Sequence, residues 1–210
     1  MIKEYRSETR VDEWIREGHF RDWNYKGVMV EVGAATPEYI SNSYHWRVNG
    51  WRTISIEPNP KFAEEHRKVD SEVVECAVSD YEGVAEFIMV GEERGEGNTS
   101  YHSFSHLAEK KLENIPNDWK EAYNRENKET VRVSVRTLNS ILEEKGIDKL
   151  DILTIDVEGL ETKVLGGIDL EKYQPKVILI ENVESVDFSP YLSGYQLVHK
   201  TIYDDVWVRA

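Results

Sequence analysis

Five acids in this chain stand where a carboxylate can do chemistry. Glu31 sits near the end of the apolar run Val28–Gly33 (VMVEVG), and Glu57 closes Arg52–Glu57 (RTISIE). Asp156 and Glu158 lie in Lys149–Gly159 (KLDILTIDVEG), and Glu181, with Asn182 behind it, follows Lys176–Ile180 (KVILI). A carboxylate so placed can accept two hydroxyl hydrogen bonds, take a proton as a general base, or ligate a hard cation. Which of these applies depends on what the apolar runs build.

An apolar run buried on both faces reads as an inner strand of a parallel sheet, and in open α/β sheets the ligand sits beyond the carboxyl ends of such strands. Glu31 and Asp156 are therefore expected to face one crevice. Gly33 and Gly159 would let the backbone come close to whatever lies there. Glu57 falls about 24 residues after Gly33, near the roughly 20 expected of the acid that takes ribose hydroxyls in a Rossmann-type unit. The competing reading is a turn acid before Pro58-Asn59-Pro60; the strand ahead of it favours the ligand role.

The other elements follow from periodicity and punctuation. Residues 9–24 suggest a short amphipathic helix, more a cap on the sheet edge than a lid. Thr36 and Pro37 suit a helix start, with Ile40, Tyr44 and Val48 at helical spacing and Gly50 closing the element. Lys61–Val69 reads as a helix, Glu72–Val78 and Ala85–Val90 as strands, Val131–Val135 as a strand, and Thr137–Lys145 and Thr162–Leu165 as helices. Gly194–His199 and Asp205–Val208 read as a closing antiparallel hairpin. Residues 91–130 open glycine-rich and polar and continue with helical tendency across Pro116, a candidate substrate loop. The order predicts an α/β fold, a doubly wound sheet with an antiparallel edge. Residues 1–27 would be a helical cap and 28–210 a single domain, with 91–130 inserted in it.

Composition narrows the function classes. With 210 residues the chain can bury a core without disulfides or metals. A formal charge of −14 repels phosphate backbones, which argues against nucleic acid as a partner. A single cysteine, Cys76, suits a reducing compartment. No signal-like start and no run of the roughly 18 apolar residues that a bilayer span needs are visible, so the expectation is a cytoplasmic protein without a membrane partner. Self-association is left open.

The first loop reads Gly33-Ala34-Ala35-Thr36-Pro37 and lacks the G-x-G-x-x-G of a pyrophosphate cradle, which disfavours a dinucleotide and an NAD-dependent oxidoreductase. A nucleoside cofactor without phosphates, S-adenosylmethionine, fits better. Its amino-acid tail needs only a close backbone and an acid such as Glu31 for its ammonium.

The segments VMVEVGA, GWRTISIEPNP, AVSDYEGVAEF, RTLNSILEEKGIDKLDILTIDVEGLETKVLGGI and PKVILIE together resemble the FkbM-type family of S-adenosylmethionine-dependent methyltransferases, in order from about Val28 to Glu181. The resemblance implies a Rossmann-like methyltransferase fold and methyl transfer, usually to a hydroxyl oxygen of a sugar or natural-product scaffold. By that resemblance Glu31, Gly33 and Ala34 would hold the methionine part, and Glu57 with the adjoining Pro58 the ribose. Ala77-Val78 and Ser79-Asp80 would lie along the adenine, and Asp156 would face the methyl-bearing region. The chain departs from the family where many members have Asn-x-Gly after the first Gly-Ala, so contacts beyond Ala34 must differ. Ser43, within Ser41-Asn42-Ser43-Tyr44, either contributes polar contacts near the methionine carboxylate or lies on an ordinary helix surface.

Methyl transfer asks for positioning and a proton acceptor. The candidate bases, in order, are Asp156, Glu158 and Glu181, with His102 behind them. The side chains of Asp156 and Glu158 would diverge if the strand continued through them, and Glu158 is equally read as a helix N-terminal acid. Asp156, Glu181 and Asn182 also form an oxygen-rich set that resembles the Mg²⁺ site of catechol-type O-methyltransferases, although a divalent metal is not the favoured reading. Histidine and cysteine spacing does not suit zinc. Tyr101, His102, Phe104, Trp119 and Tyr123 suggest an aromatic surface for a small-molecule or saccharide acceptor. The alternative is a non-catalytic binding or scaffold domain of the same fold.

Overall fold

The computed structural model describes residues 1–69, 71–91, 104–110 and 117–210. In chain order the first half runs α1 (Val11–His19), β1 (Val28–Val32), α2 (Tyr44–Val48), β2 (Arg52–Ile56), α3 (Pro60–Lys68), β3 (Glu72–Val74), β4 (Ala77–Val78), β5 (Gly83–Val90) and β6 (His106–Leu107). The second half runs α4 (Asn117–Arg125), β7 (Lys128–Arg136), α5 (Leu138–Glu144), β8 (Ile152–Ile155), α6 (Glu161–Gly166), α7 (Leu170–Tyr173), β9 (Val177–Glu181), β10 (Tyr195–Lys200) and β11 (Asp204–Arg209).

Seven of these strands form one sheet in the order β3-β2-β1-β8-β9-β11-β10. The four pairings from β3 to β9 are parallel, and β11 is antiparallel to both β9 and β10. The apolar runs occupy its centre because both faces are covered. On one face Val30, Val32, Ile54, Ile56, Leu153 and Ile155 pack with Leu138, Ile141 and Leu142 of α5 and with Val164 and Leu165 of α6. On the other, Met29, Ile152, Val177, Leu179 and Val206 pack with Val11 and Ile15 of α1 and with Trp46 of α2. The N-terminal helix thus covers a sheet face, where its apolar stripe finds apolar partners, rather than capping an edge.

The remaining strands form a second sheet, β4-β7-β5-β6, which the alternation pattern did not separate from the first. The run expected as one strand over 72–78 is divided between the sheets: Glu72–Val74 pairs with β2, and Ala77–Val78 with β7. Within the expected helical stretch after residue 106, His106–Leu107 is a strand paired with β5, and the helix begins at Asn117. The side chains of the second sheet bury Ala77, Phe87, Met89, Leu107, Val133 and Val135 together.

The helix expected from Pro37 begins only at Tyr44. Thr36 closes a turn instead: its Oγ1 donates to Tyr39 O (2.9 Å) and accepts from Tyr39 N (3.2 Å). The Asn42 amide, which a helix would direct at Glu38 O, donates to Glu31 Oε1 at 2.9 Å. A buried carboxylate outcompetes a backbone carbonyl for that donor, so helical spacing is overridden. Elsewhere local signals hold. Thr137 caps α5, its Oγ1 accepting from Ser140 N at 3.3 Å. Thr137→Ala should lower unfolding free energy by about 1 kcal/mol in urea titrations; an unchanged midpoint would show that this cap contributes nothing.

Candidate active site

The chain crosses from the β1-β2-β3 side of the main sheet to the β8-β9 side, so the strand order reverses between β1 and β8. Beyond the carboxyl ends of such a pair the connections part and leave a crevice. A cleft of about 680 Å³, open at its mouth, lies there. Gly33, Ala35, Glu57, Pro58, Asp156 and Glu158 line it from the main sheet, Phe62 from α3, and Ala77, Val78, Phe87 and Leu107 from the second sheet. The second sheet is therefore one wall of the cleft. That mix, apolar walls with a few acids, suits a nucleoside.

Gly33 is set by the approach of β1 to β8. Its φ is +79°, and a Cβ there would stand 1.6 Å from the carbonyl oxygen of Asp156. The neighbour that demands a glycine is thus Asp156's own backbone. Glu57 is buried and holds the next loop: Ala35 N donates to its Oε2 (2.8 Å) and Asn59 N to its Oε1 (2.7 Å). Burial pushes its carboxyl up to about 7 against the pull of those two amides. His66 Nε2 lies 3.2 Å from Ala35 O, and burial lowers its imidazole to about 4, so it stays neutral and suits donation to that carbonyl. These contacts shape the Ala35-Thr36-Pro37 loop without the Asn-x-Gly of other sequences. Cys76 also faces the cleft, its thiol pushed up to about 12 by burial and hence unreactive.

At the β8 end the three candidate bases converge. Asp156, Glu158 and Glu181 each bring a carboxylate oxygen within 4.8 Å of the others. The strand stops at Ile155, and Glu158 then adopts φ +60°, a left-handed conformation costly for a side-chain-bearing residue, so it turns back toward Asp156 instead of diverging. Burial, then the charge of Glu158, raises Asp156 well above the usual carboxyl range; burial, then Asp156, does the same to Glu181. Glu158 is raised to about 7 by burial, with Lys110 opposing.

A smaller pocket of about 310 Å³ adjoins, lined by Lys110, Glu158, Glu161, Glu181, Glu184 and their neighbours. Glu158 lines both pockets. The helix-start role weighed for Glu158 belongs to Glu161, whose Oε1 accepts from Gly159 N (2.8 Å) and Val157 N (3.3 Å). Asn182 is consumed by its own turn, bonding Val186 N, Val186 O and Asp205 Oδ2. It lines the smaller pocket with its side chain already engaged in those bonds.

Of the residues singled out from the sequence, Gly33, Glu57, Pro58, Ala77, Val78, Asp156 and Glu158 line the cleft, and Glu181 joins at its end. Glu31, Ala34 and Ser43 are buried but do not line it. Glu31 lies on the α1 side of the sheet, where Asn42 N and Ser43 hydrogen-bond its carboxylate, and burial raises it to about 7. Ser43 Oγ sits 3.3 Å from Ser41 Oγ. Ser79 and Asp80 are also outside the lining, and Asp80 is paired with Lys163 at 3.1 Å. Tyr101, His102 and the Trp119 side chain lie outside the described residues, while Tyr123 is buried with its hydroxyl 3.0 Å from His106 Nε2. Lys110 was not singled out, because nothing in its local sequence points to strand ends far along the chain.

An open, largely parallel α/β sheet with an acid-rimmed cleft at its reversal point is the arrangement of the nucleotide- and nucleoside-binding α/β proteins. Within that class, the sequence model of the family described as Methyltransferase FkbM domain matches residues 31–192, and the chain belongs to that family. In three dimensions it is similar to the crystal structure of methyltransferase FkbM from Methylobacillus flagellatus KT, with a TM-score of 0.53 and 16% identity over 95% of this chain. The chain spans about half the length of that protein, 50%. No curated protein matches it. Among the described residues no helix is long and apolar enough to cross a membrane.

Proposed function

We propose that this chain is an S-adenosylmethionine-dependent O-methyltransferase acting on a hydroxyl of a sugar, glycan or natural-product-like small molecule, in a Rossmann-like, doubly wound fold. The observation that carries the reading is the pair of pockets sharing Glu158. One is apolar-walled with Glu57 at its rim; the other is carboxylate-rich. The cleft residues fit the cofactor. Phe62, Val78, Phe87 and Leu107 offer apolar walls to a base, and Glu57 has lone pairs left for ribose hydroxyls. When bound, the cofactor supplies an electrophilic methyl on a sulfonium.

The protein's own part is orientation and proton management. Carboxylates at the junction of the two pockets accept hydrogen bonds from an incoming hydroxyl and fix its oxygen toward the cleft. Glu158, with its carboxyl at about 7, is poised to take the hydroxyl proton near neutrality. Asp156 and Glu181, both raised by burial and by the charge of neighbouring carboxylates, orient the acceptor. The apolar walls limit water. Residues 1–27 belong with 28–210 to a single domain, the charge of −14 turns nucleic acid away, and the lone cysteine fits a cytoplasmic setting.

Calorimetric titration of S-adenosylhomocysteine tests the reading. The wild type should bind, and Glu57→Ala should weaken binding at least about tenfold, because both ribose hydroxyls lose their acceptor and the Ala35 loop loses its anchor. A folded wild type that binds neither S-adenosylmethionine nor S-adenosylhomocysteine would overturn it.

A further inference from the structure

Four carboxylates line the smaller pocket, Glu158, Glu161, Glu181 and Glu184, and Asp156 touches it through Glu158 and Glu181. Such a set in a buried place demands protons or positive charge. Among the described lining residues that charge is Lys110. It arrives from the second sheet just after β6, on backbone fixed by Ala108 N to Glu86 O (2.9 Å) and Lys110 N to Leu107 O (3.0 Å). Its side chain is 6% exposed, and Nζ lies 3.6 Å from Glu158 Oε2. The opposite wall is cut to receive it. A Cβ on Gly159 would stand 3.0 Å from Glu184 Oε1, 3.1 Å from Lys110 Cε and 3.3 Å from Nζ, and Gly159 holds φ +94°. A charged stem threaded against a left-handed glycine, beside a left-handed Glu158, is a built seat and not a surface pair.

We propose that the Lys110 ammonium is the resident cation of the Asp156–Glu158–Glu181 cluster, standing where a divalent metal would otherwise be held and aiming Glu158 at the junction of the two pockets. For its part in catalysis this rests on the methyltransferase reading; as a statement about the cluster it does not. The groups facing the ammonium are Glu158 in the loop after β8, Glu161 on α6, Glu181 at the end of β9 and Glu184 in the turn beyond. Asp156 is reached through them, with Asp204 of β11 behind it. A divalent ion needs several of these oxygens at about 2.0–2.6 Å, a place it cannot share with an ammonium this close to Glu158. Lys110 is thus a positioning residue, and the enzyme is expected to need no metal.

Mn²⁺ binding followed by loss of the free-ion electron paramagnetic resonance signal tests this without any acceptor. The proteins are wild type, Lys110→Arg, Lys110→Met and Lys110→Met/Glu181→Gln, each checked for folding by circular dichroism, with Lys110→Gln used should Lys110→Met fail to fold. Lys110→Met should gain one Mn²⁺ site at least about tenfold tighter than anything in wild type. The arginine variant should stay like wild type, and the double variant should lose the new site. Wild-type Mn²⁺ binding as tight as that of Lys110→Met, or a folded Lys110→Met that gains none, would overturn the proposal. Titrating S-adenosylhomocysteine into the same wild-type sample keeps the two readings apart. Its failure to bind sinks the methyltransferase reading and leaves the Mn²⁺ result standing.

Discussion

Gly33→Ala should leave little folded protein. The added Cβ would meet the Asp156 carbonyl oxygen at 1.6 Å and its carbon at 2.8 Å, both backbone atoms. No side-chain rotation relieves that contact. Relief would mean separating the ends of β1 and β8, which Asp156 N to Val32 O (3.0 Å) and the β1–β8 ladder hold together. The φ of +79° adds its own penalty of about 1–2 kcal/mol for a residue with a Cβ. Together these belong to the rare substitutions costing more than about 4–5 kcal/mol, a large share of the stability of a domain. Gly146→Ala is the comparison. It has a similar φ of +62° but nothing within 4 Å of the added Cβ, so it should cost only the backbone penalty, about 1–2 kcal/mol. Urea unfolding of both variants reads the difference. A Gly33→Ala protein as stable as Gly146→Ala would mean that the strand ends are not packed as described.

The second large effect is a loss of stability as pH rises. Burial raises Glu31, Glu57 and Glu158 to about 7, and Asp156 and Glu181 well above their ordinary values. In the unfolded chain the same groups release their protons near the ordinary value of 4.5 for Glu and 3.8 for Asp. Between those values the native state holds more protons than the unfolded one, so stability falls with pH. The stabilisation is complete below about 4 and is lost as pH passes through about 7. A carboxyl raised from 4.5 to about 7 accounts for about 3 kcal/mol. The unfolding free energy should therefore be several kcal/mol lower at pH 8.5 than at pH 5.5. Glu31→Gln separates one contribution, since Glu31 lies outside the Asp156 cluster and an amide oxygen still accepts from Asn42 N. This variant should match wild type near pH 5 and exceed it at pH 8.5 by about 1–3 kcal/mol. Repulsion from the net charge of −14 acts in the same direction, but salt screens surface charge and leaves buried groups nearly untouched. Wild-type stability that rises from pH 5.5 to 8.5 in high salt would refute the account.

What was legible in the sequence is what neighbouring residues decide among themselves. Val28–Val32, Ile152–Ile155 and Val177–Glu181 are inner strands because unbroken apolar runs need burial on both faces, and the final hairpin follows from its alternation. Glu57 was legible for the same reason, as an acid closing a strand at a set distance from Gly33. Other features waited on tertiary structure. The face that Glu31 takes depends on which of its strand's two sides receives α1. The Asp156–Glu158 convergence depends on one left-handed residue. The second sheet pairs β4 with β7, more than fifty residues apart. Lys110 reaches Glu158 across 48 positions, with no periodicity to announce it. Alternation and capping are settled within a few residues, where local sterics and burial have few alternatives. Contacts between distant segments are chosen by the whole packed chain, and at this site they determine which carboxylates meet and which cation stands among them.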